Sequence, residues 1–144
     1  MKKPFAGALM LALGLAQAAH ATDDRKMFPI EEALNSAEAQ QKLDPEIKLY
    51  FGDQKHPKGK VLGEWVANKK TNAFNKDAKT ACEWAFLSAA LEFQERARKE
   101  GGNAVINIRS FYKQEEISSD KEYMCGSGFL MAGVAFKAQV IKTR

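Results

Sequence analysis

The mature part of the chain alternates between two hydrophobic periods. "PIEEALNSAEAQQKL" places Ile30, Leu34 and Ala37 at helical spacing. Pro29 sits where a first helical turn tolerates it, and Glu31 and Glu32 lie near the positive helix end. The pattern predicts a short helix that Asp44-Pro45 ends. Residues 22–29 ahead of it read as a loose leader.

The period then changes to two. "EIKLYFGD" alternates Ile47, Leu49 and Phe51 against Lys48 and Tyr50, which predicts a strand. "QKHPKGK" reads as a turn on Pro57 and Gly59. "VLGEWVANK" reads as a second strand, so the two are expected to form a hairpin, followed by the loop "TNAFNKD".

The strongest helical pattern comes next. Thr80-Ala81-Cys82-Glu83 has the form of a capping box, with Asn75 and Asp77 as rival caps. The helix is expected to run to about Lys99 and to stop at Gly101-Gly102, because glycine takes the left-handed cap conformation cheaply. Cys82, Phe86, Ala89, Phe93 and Ala97 form one apolar stripe. Trp84, Leu87 and Leu91 form a second on the opposite side. A surface helix needs one stripe, so two imply a helix sandwiched between layers or one presenting an interaction surface. The sandwich is preferred, because the short N-terminal helix must bury Leu34 somewhere.

"NAVINIRSFYK" predicts a strand with Val105 and Phe111 on one face and Ile106 and Ile108 on the other. A charged loop follows. "YMCGSGFLMAGVAFKAQVIK" reads as one last long strand in which Leu130, Ala132, Val134, Phe136, Ala138 and Val140 alternate. Gly126, Gly128 and Gly133 mark a bulge or the close approach of another backbone. The expected fold is α+β: a short N-terminal helix, then ββαββ, with a mostly antiparallel sheet and the long helix across one face. Residues 22–43 are read as leader and helix, and residues 44–144 as a single domain.

The opening "MKKPFAGALMLALGLAQAAHA" has two lysines, an uncharged apolar run over residues 5–16, and Ala19-His20-Ala21. This is the layout of a cleaved secretory signal peptide covering residues 1–21, with cleavage after Ala21. The run is shorter than the roughly 20 residues of a membrane-spanning helix. No cysteine lies near the cleavage point, so lipidation there is excluded. A periplasmic or secreted protein without a stable membrane anchor is expected. The charge picture changes accordingly. The chain carries 22 Lys and Arg against 18 Asp and Glu, and without Lys2 and Lys3 the formal balance falls from +4 to +2. Mixed signs at that level are no nucleic-acid footprint.

Compartment bears on the two cysteines, Cys82 and Cys125. An even count in an exported chain favours pairing. The pair would close a loop of roughly 44 residues, worth roughly 4 kcal/mol by loop entropy. The rival reading is a redox thiol at Cys82, since a helix N-terminus lowers a thiol's pKa, but the two-residue spacing of a redox pair is missing. With His56 as the one histidine after the leader, Cys and His alone cannot assemble a zinc site.

"CEWAFLSAALEFQERARKEGGNAVINI", "YMCGSG" and "MAGVAFKAQVIK" together resemble a family of small, secreted bacterial proteins often labelled "excinuclease ATPase subunit". More distantly, a helix ending in glycine and running through Asn103-Ala104-Val105 into a strand is similar to the YbjQ-like domains. It is also similar to the periplasmic domain of the Rcs envelope-stress sensor lipoprotein. The latter resemblance implies a disulfide tying helix to sheet, a part Cys82 and Cys125 would play. The ATPase activity in the label requires a phosphate loop ending in Gly-Lys-Ser/Thr. Gly59-Lys60 is followed by Val61, and Gly126-Ser127-Gly128 has no helix behind it, so nucleotide-excision chemistry is not expected.

Other clusters are weaker. "KHPKGK" with Lys69 and Lys70 is a candidate for anionic lipid and otherwise a solvated turn. Glu115, Glu116, Asp120 and Glu122 lack the spacing of a calcium loop. His56 in an exposed turn is a poor triad member, and Trp65 and Trp84 fit core positions. No catalytic residue, cofactor or metal is expected. The leading expectation is a non-catalytic binding or interaction module of the cell envelope, acting on an envelope protein. A thiol-redox protein using Cys82 and Cys125, and a homo-oligomer joined through Trp84, Leu87 and Leu91, are the alternatives.

Overall fold

In the computed structural model, residues 24–144 are described; the leader expected over residues 1–21 lies outside them. The elements are β1 (Asp24–Pro29), α1 (Ile30–Leu34), α2 (Ala37–Lys42), β2 (Lys48–Phe51), β3 (Gly59–Asn72), α3 (Ala78–Glu100), β4 (Ala104–Tyr112), β5 (Glu115–Ile117), β6 (Glu122–Ser127) and β7 (Met131–Thr143). The molecule is α+β, with a mostly antiparallel sheet, one long helix and a Cys82–Cys125 disulfide.

β7 organises the sheet. One edge pairs with β3 at thirteen register positions, from Gly59↔Thr143 to Asn72↔Met131. The other edge is shared between β4, from Ala104↔Ile141 to Ser110↔Phe136, and β6, at Gly126↔Gly133 and Ser127↔Ala132. β1 continues outward from β6, while β2 and β5 lie beside β4.

The element order departs from ββαββ in several places. Residues 24–29 are not a loose leader: they form β1, paired antiparallel to β6 from Asp24↔Ser127 to Pro29↔Glu122. The stretch carries little alternation of its own, so its strand state comes from the partner, as β propensity usually does. The single N-terminal helix is two, split at Asn35-Ser36, where Ser36 caps α2 by accepting the Ala39 N–H. β2 and β3 form no hairpin. β2 runs parallel to β4, and β3 crosses to β7. Alternation marks β2 as a strand without naming the strand it pairs with.

The long helix matches its pattern closely. Asp77 is its N-cap: Oδ1 accepts the Thr80 N–H at 2.7 Å and Oδ2 the Thr80 hydroxyl at 3.1 Å. Thr80 therefore sits inside the helix, and the box starting at Thr80 does not form. The helix ends at Gly101 in the left-handed conformation, φ 78°. Its stripe of Cys82, Phe86, Ala89, Phe93 and Ala97 is buried with Val134, Phe136, Ala138 and Val140 of β7, Ala67 of β3 and Val105 of β4. Phe86 stands at the centre of an aromatic cluster, with ring centroids 5.6 Å from Phe51, 4.7 Å from Tyr123 and 5.6 Å from Phe136.

In β4 the expected faces are broken. Asn107 takes φ 50°, and the register with β7 shifts between Ile106 and Arg109. The irregularity turns Ile108 to the helix side with Val105 and leaves Ile106 with Ala104 and Ile141 in a second cluster. A bulge of this kind adds one residue and reverses the alternation beyond it.

Candidate functional site

The disulfide lies in the main core. Cys82 and Cys125 are both 0 % exposed, with Cα atoms 5.9 Å apart, and join the first turns of α3 to β6. Neither sulfur is open to an attacking thiolate in the folded state, which is the first requirement of exchange.

The second helix stripe is partly covered within the molecule. Leu87 is 2 % exposed, Trp84 and Leu91 are half-buried, and Lys42 of α2 stands over the Trp84 ring at 4.9 Å. α3 is therefore packed between the sheet and the two short helices. Glu83 on this side has its carboxyl raised above the usual range by burial. Lys79 opposes the shift, while Glu32, Asp77 and Glu38 add to it.

The lysines grouped in the sequence separate in space. "KHPKGK" precedes and opens β3, whereas Lys69 and Lys70 lie near its far end, roughly 30 Å away at the rise of a strand. Lys58 and Lys60 meet Lys142 and Arg144 around a hollow of about 500 Å³. His56 is exposed, its Nδ1 2.9 Å from the Pro57 carbonyl. Glu115 and Glu116 are engaged by arginines: Arg25 bonds Glu115 at 2.7 Å, and Arg109 Nε bonds Glu116. Arg109 also donates to Glu64 at 3.1 Å and to the Asn107 carbonyl at 3.0 Å, so its guanidinium cross-links the helix-free face. Among the described residues, no three metal-ligating side chains converge.

What the sequence reading missed is an apolar end. The final apolar stretch is not one strand. β6 and β7 form a hairpin whose turn is Gly128-Phe129-Leu130, closed by a Gly128 N–H bond to the Met131 carbonyl at 2.8 Å. Phe129 is 79 % exposed, Leu130 59 % and Met131 48 %. Beside them Phe74, 47 % exposed, meets Phe129 edge-on with centroids 5.6 Å apart. The Ala73 N–H donates to the Leu130 carbonyl at 2.8 Å and joins the loop before α3 to the hairpin turn. Exposed single apolar residues are ordinary; a contiguous group is not. The glycines at 126 and 128 were the available sign of a turn.

Polar groups border this end. A shallow hollow of about 310 Å³ opens beside Met131, lined by Asn68, Lys70, Tyr112, Lys113, Gly126 and Gly133. Its floor requires glycine, because a Cβ at position 126 would stand 2.1 Å from the Tyr112 hydroxyl. Arg25 and Lys113 lie over the Tyr112 ring at 5.4 and 5.6 Å. Lys69 pairs with Glu92 at 3.1 Å, and Lys76 Nζ donates to the Asn72 carbonyl at 3.1 Å.

Among the described residues no helix is long and apolar enough to cross a membrane. The buried disulfide fits an oxidising compartment outside the cytoplasm. Set against models of known protein families, curated proteins and solved structures, the chain matches none of them.

Proposed function

We propose that the chain is an exported, non-catalytic binding module of the bacterial cell envelope, and that it binds through its apolar end. The observation that carries this reading is the exposed group Phe74, Phe129, Leu130 and Met131 on a backbone fixed by hydrogen bonds. A folded domain keeps such a group against water when something covers it in use. The signal-like opening and the buried disulfide support an envelope location. The thiol-redox alternative is disfavoured because both sulfurs are wholly buried. The homo-oligomer alternative has less support, since Leu87 is already covered, while Trp84 and Leu91 stay half-buried.

A photo-reactive residue in place of Phe129, activated in living cells, tests the reading. Adducts to an envelope component, absent when the residue replaces Lys58 at the other end of β3, are expected. A chain that stays free at both positions would count against a binding role.

A further inference from the structure

Resting on that reading, we infer that the apolar end inserts into the surface of a bilayer carrying anionic phospholipid. Three observations select this partner.

The first is the satisfaction of the backbone. Entering the edge of a hydrocarbon layer is costly for any unpaired N–H or C=O. At this end the Gly128 N–H bonds the Met131 carbonyl and the Ala73 N–H bonds the Leu130 carbonyl. The Lys76 N–H bonds the Ala73 carbonyl, and the Phe74 N–H bonds Asn72 Oδ1 at 2.8 Å. The Leu130 carbonyl, the Gly128 and Met131 flanks of the turn and the adjoining Ala73–Phe74 backbone can thus approach the layer already paired.

The second is shape. The group is an exposed hairpin turn with two rings edge-on, and compact apolar bulk of this kind is what interfacial anchors bury roughly 5–10 Å into the headgroup boundary.

The third is charge. Lys70 and Lys76 are exposed behind the apolar residues, with Lys69 and Lys113 further back, and long lysine stems let the ammonium groups stay at headgroup level. The acids nearby are Asp24, opposite Ser127; Asp77, held as the cap of α3; Glu92, paired with Lys69; and Glu115, opposite Tyr112 and paired with Arg25. The hollow lined by Lys70, Asn68 and Tyr112 adjoins Met131, where a lipid phosphate would lie once the turn is inserted. A second copy docked end to end would bring the same lysines face to face, and like charges disfavour that pairing.

The test is sedimentation of the purified exported protein with vesicles at low salt. Vesicles of phosphatidylethanolamine with phosphatidylglycerol are compared with vesicles of phosphatidylcholine. The protein is expected to pellet with the anionic vesicles. Phe129→Ser with Leu130→Ser should weaken this on the order of tenfold or more. Lys70→Glu with Lys76→Glu should remove the preference for anionic lipid, and Lys58→Glu with Lys60→Glu should change little. Phe129→Trp should show blue-shifted fluorescence on the vesicles. Melting curves verify folding, and Phe74→Ser replaces any variant that fails. The inference is overturned by no pelleting with either vesicle, by pelleting indifferent to Phe129 and Leu130, or by pelleting lost with Lys58 and Lys60. Adducts to an envelope protein at position 129 without vesicle binding also overturn it, while leaving the binding-module reading intact. If both experiments are negative, both readings fall.

Discussion

Gln94 holds Asp44 by both ends of its amide: Nε2 donates to the Asp44 carbonyl at 2.9 Å, and Oε1 accepts the Asp44 N–H at 3.0 Å. Nε2 also donates to the Ile47 carbonyl at 2.9 Å. The side chain is buried, so it does for the turn before β2 what a backbone ladder would otherwise do. Gln94→Leu is expected to cost roughly 1–3 kcal/mol by leaving these groups unpaired. Urea unfolding measures it, and a change within error would show that the turn finds other partners.

The disulfide is expected to contribute roughly 4 kcal/mol through the loop it closes. Thiol titration of the folded protein should find no free thiol. Cys82→Ala with Cys125→Ala should lower the urea midpoint strongly, and reductant should do so in the parent alone. A parent that mild reductant opens without loss of folding would revive the redox alternative.

Much of this arrangement was legible beforehand. The long helix, its Gly101 stop and its buried stripe all follow from one local period. The cysteine pairing followed from an even count and a signal-like leader. β1 was not legible, because it draws its strand state from β6. Neither was the crossing of β3 to β7, since alternation names a strand without naming its neighbour. The Asn107 bulge reversed the faces of β4 from within a sequence that alternates evenly. At the site, the run from Tyr123 to Lys142 reads as continuous apolar alternation, and this hid a turn whose apolar residues face solvent. Phe74 was hidden differently, as a single ring in a polar loop.

Glu83 gives a pH signature. Burial raises its folded pKa above the unfolded value, so its carboxylate form is disfavoured by folding. The penalty is absent below the unfolded pKa and is fully present above the folded one. Wild-type protein therefore forfeits stability at this site as pH rises through the carboxylate range. Glu83→Gln should melt higher than the parent at pH 7, with the difference vanishing in acid. A variant that melts lower at pH 7 would mean that the attraction to Lys79 outweighs the burial.

Gly126→Ala sets a methyl against the Tyr112 ring, 2.1 Å from its oxygen. A cost of roughly 1–3 kcal/mol is expected from this overpacking. In a Tyr112→Ala background most of that cost should disappear, because the two changes share one contact. Additive losses would place the strain in the β6 backbone instead.

The position of β7 in the chain has a consequence for biogenesis. β3, β4 and β6 all pair to this strand, and it follows all three in the chain. Until it is synthesised, β3 lacks the partner for its thirteen register positions, and the main core lacks Val134, Phe136, Ala138 and Val140. A growing chain therefore cannot complete its sheet before β7 has been made. The topology thereby ties formation of the whole sheet to one strand that follows its partners in the chain.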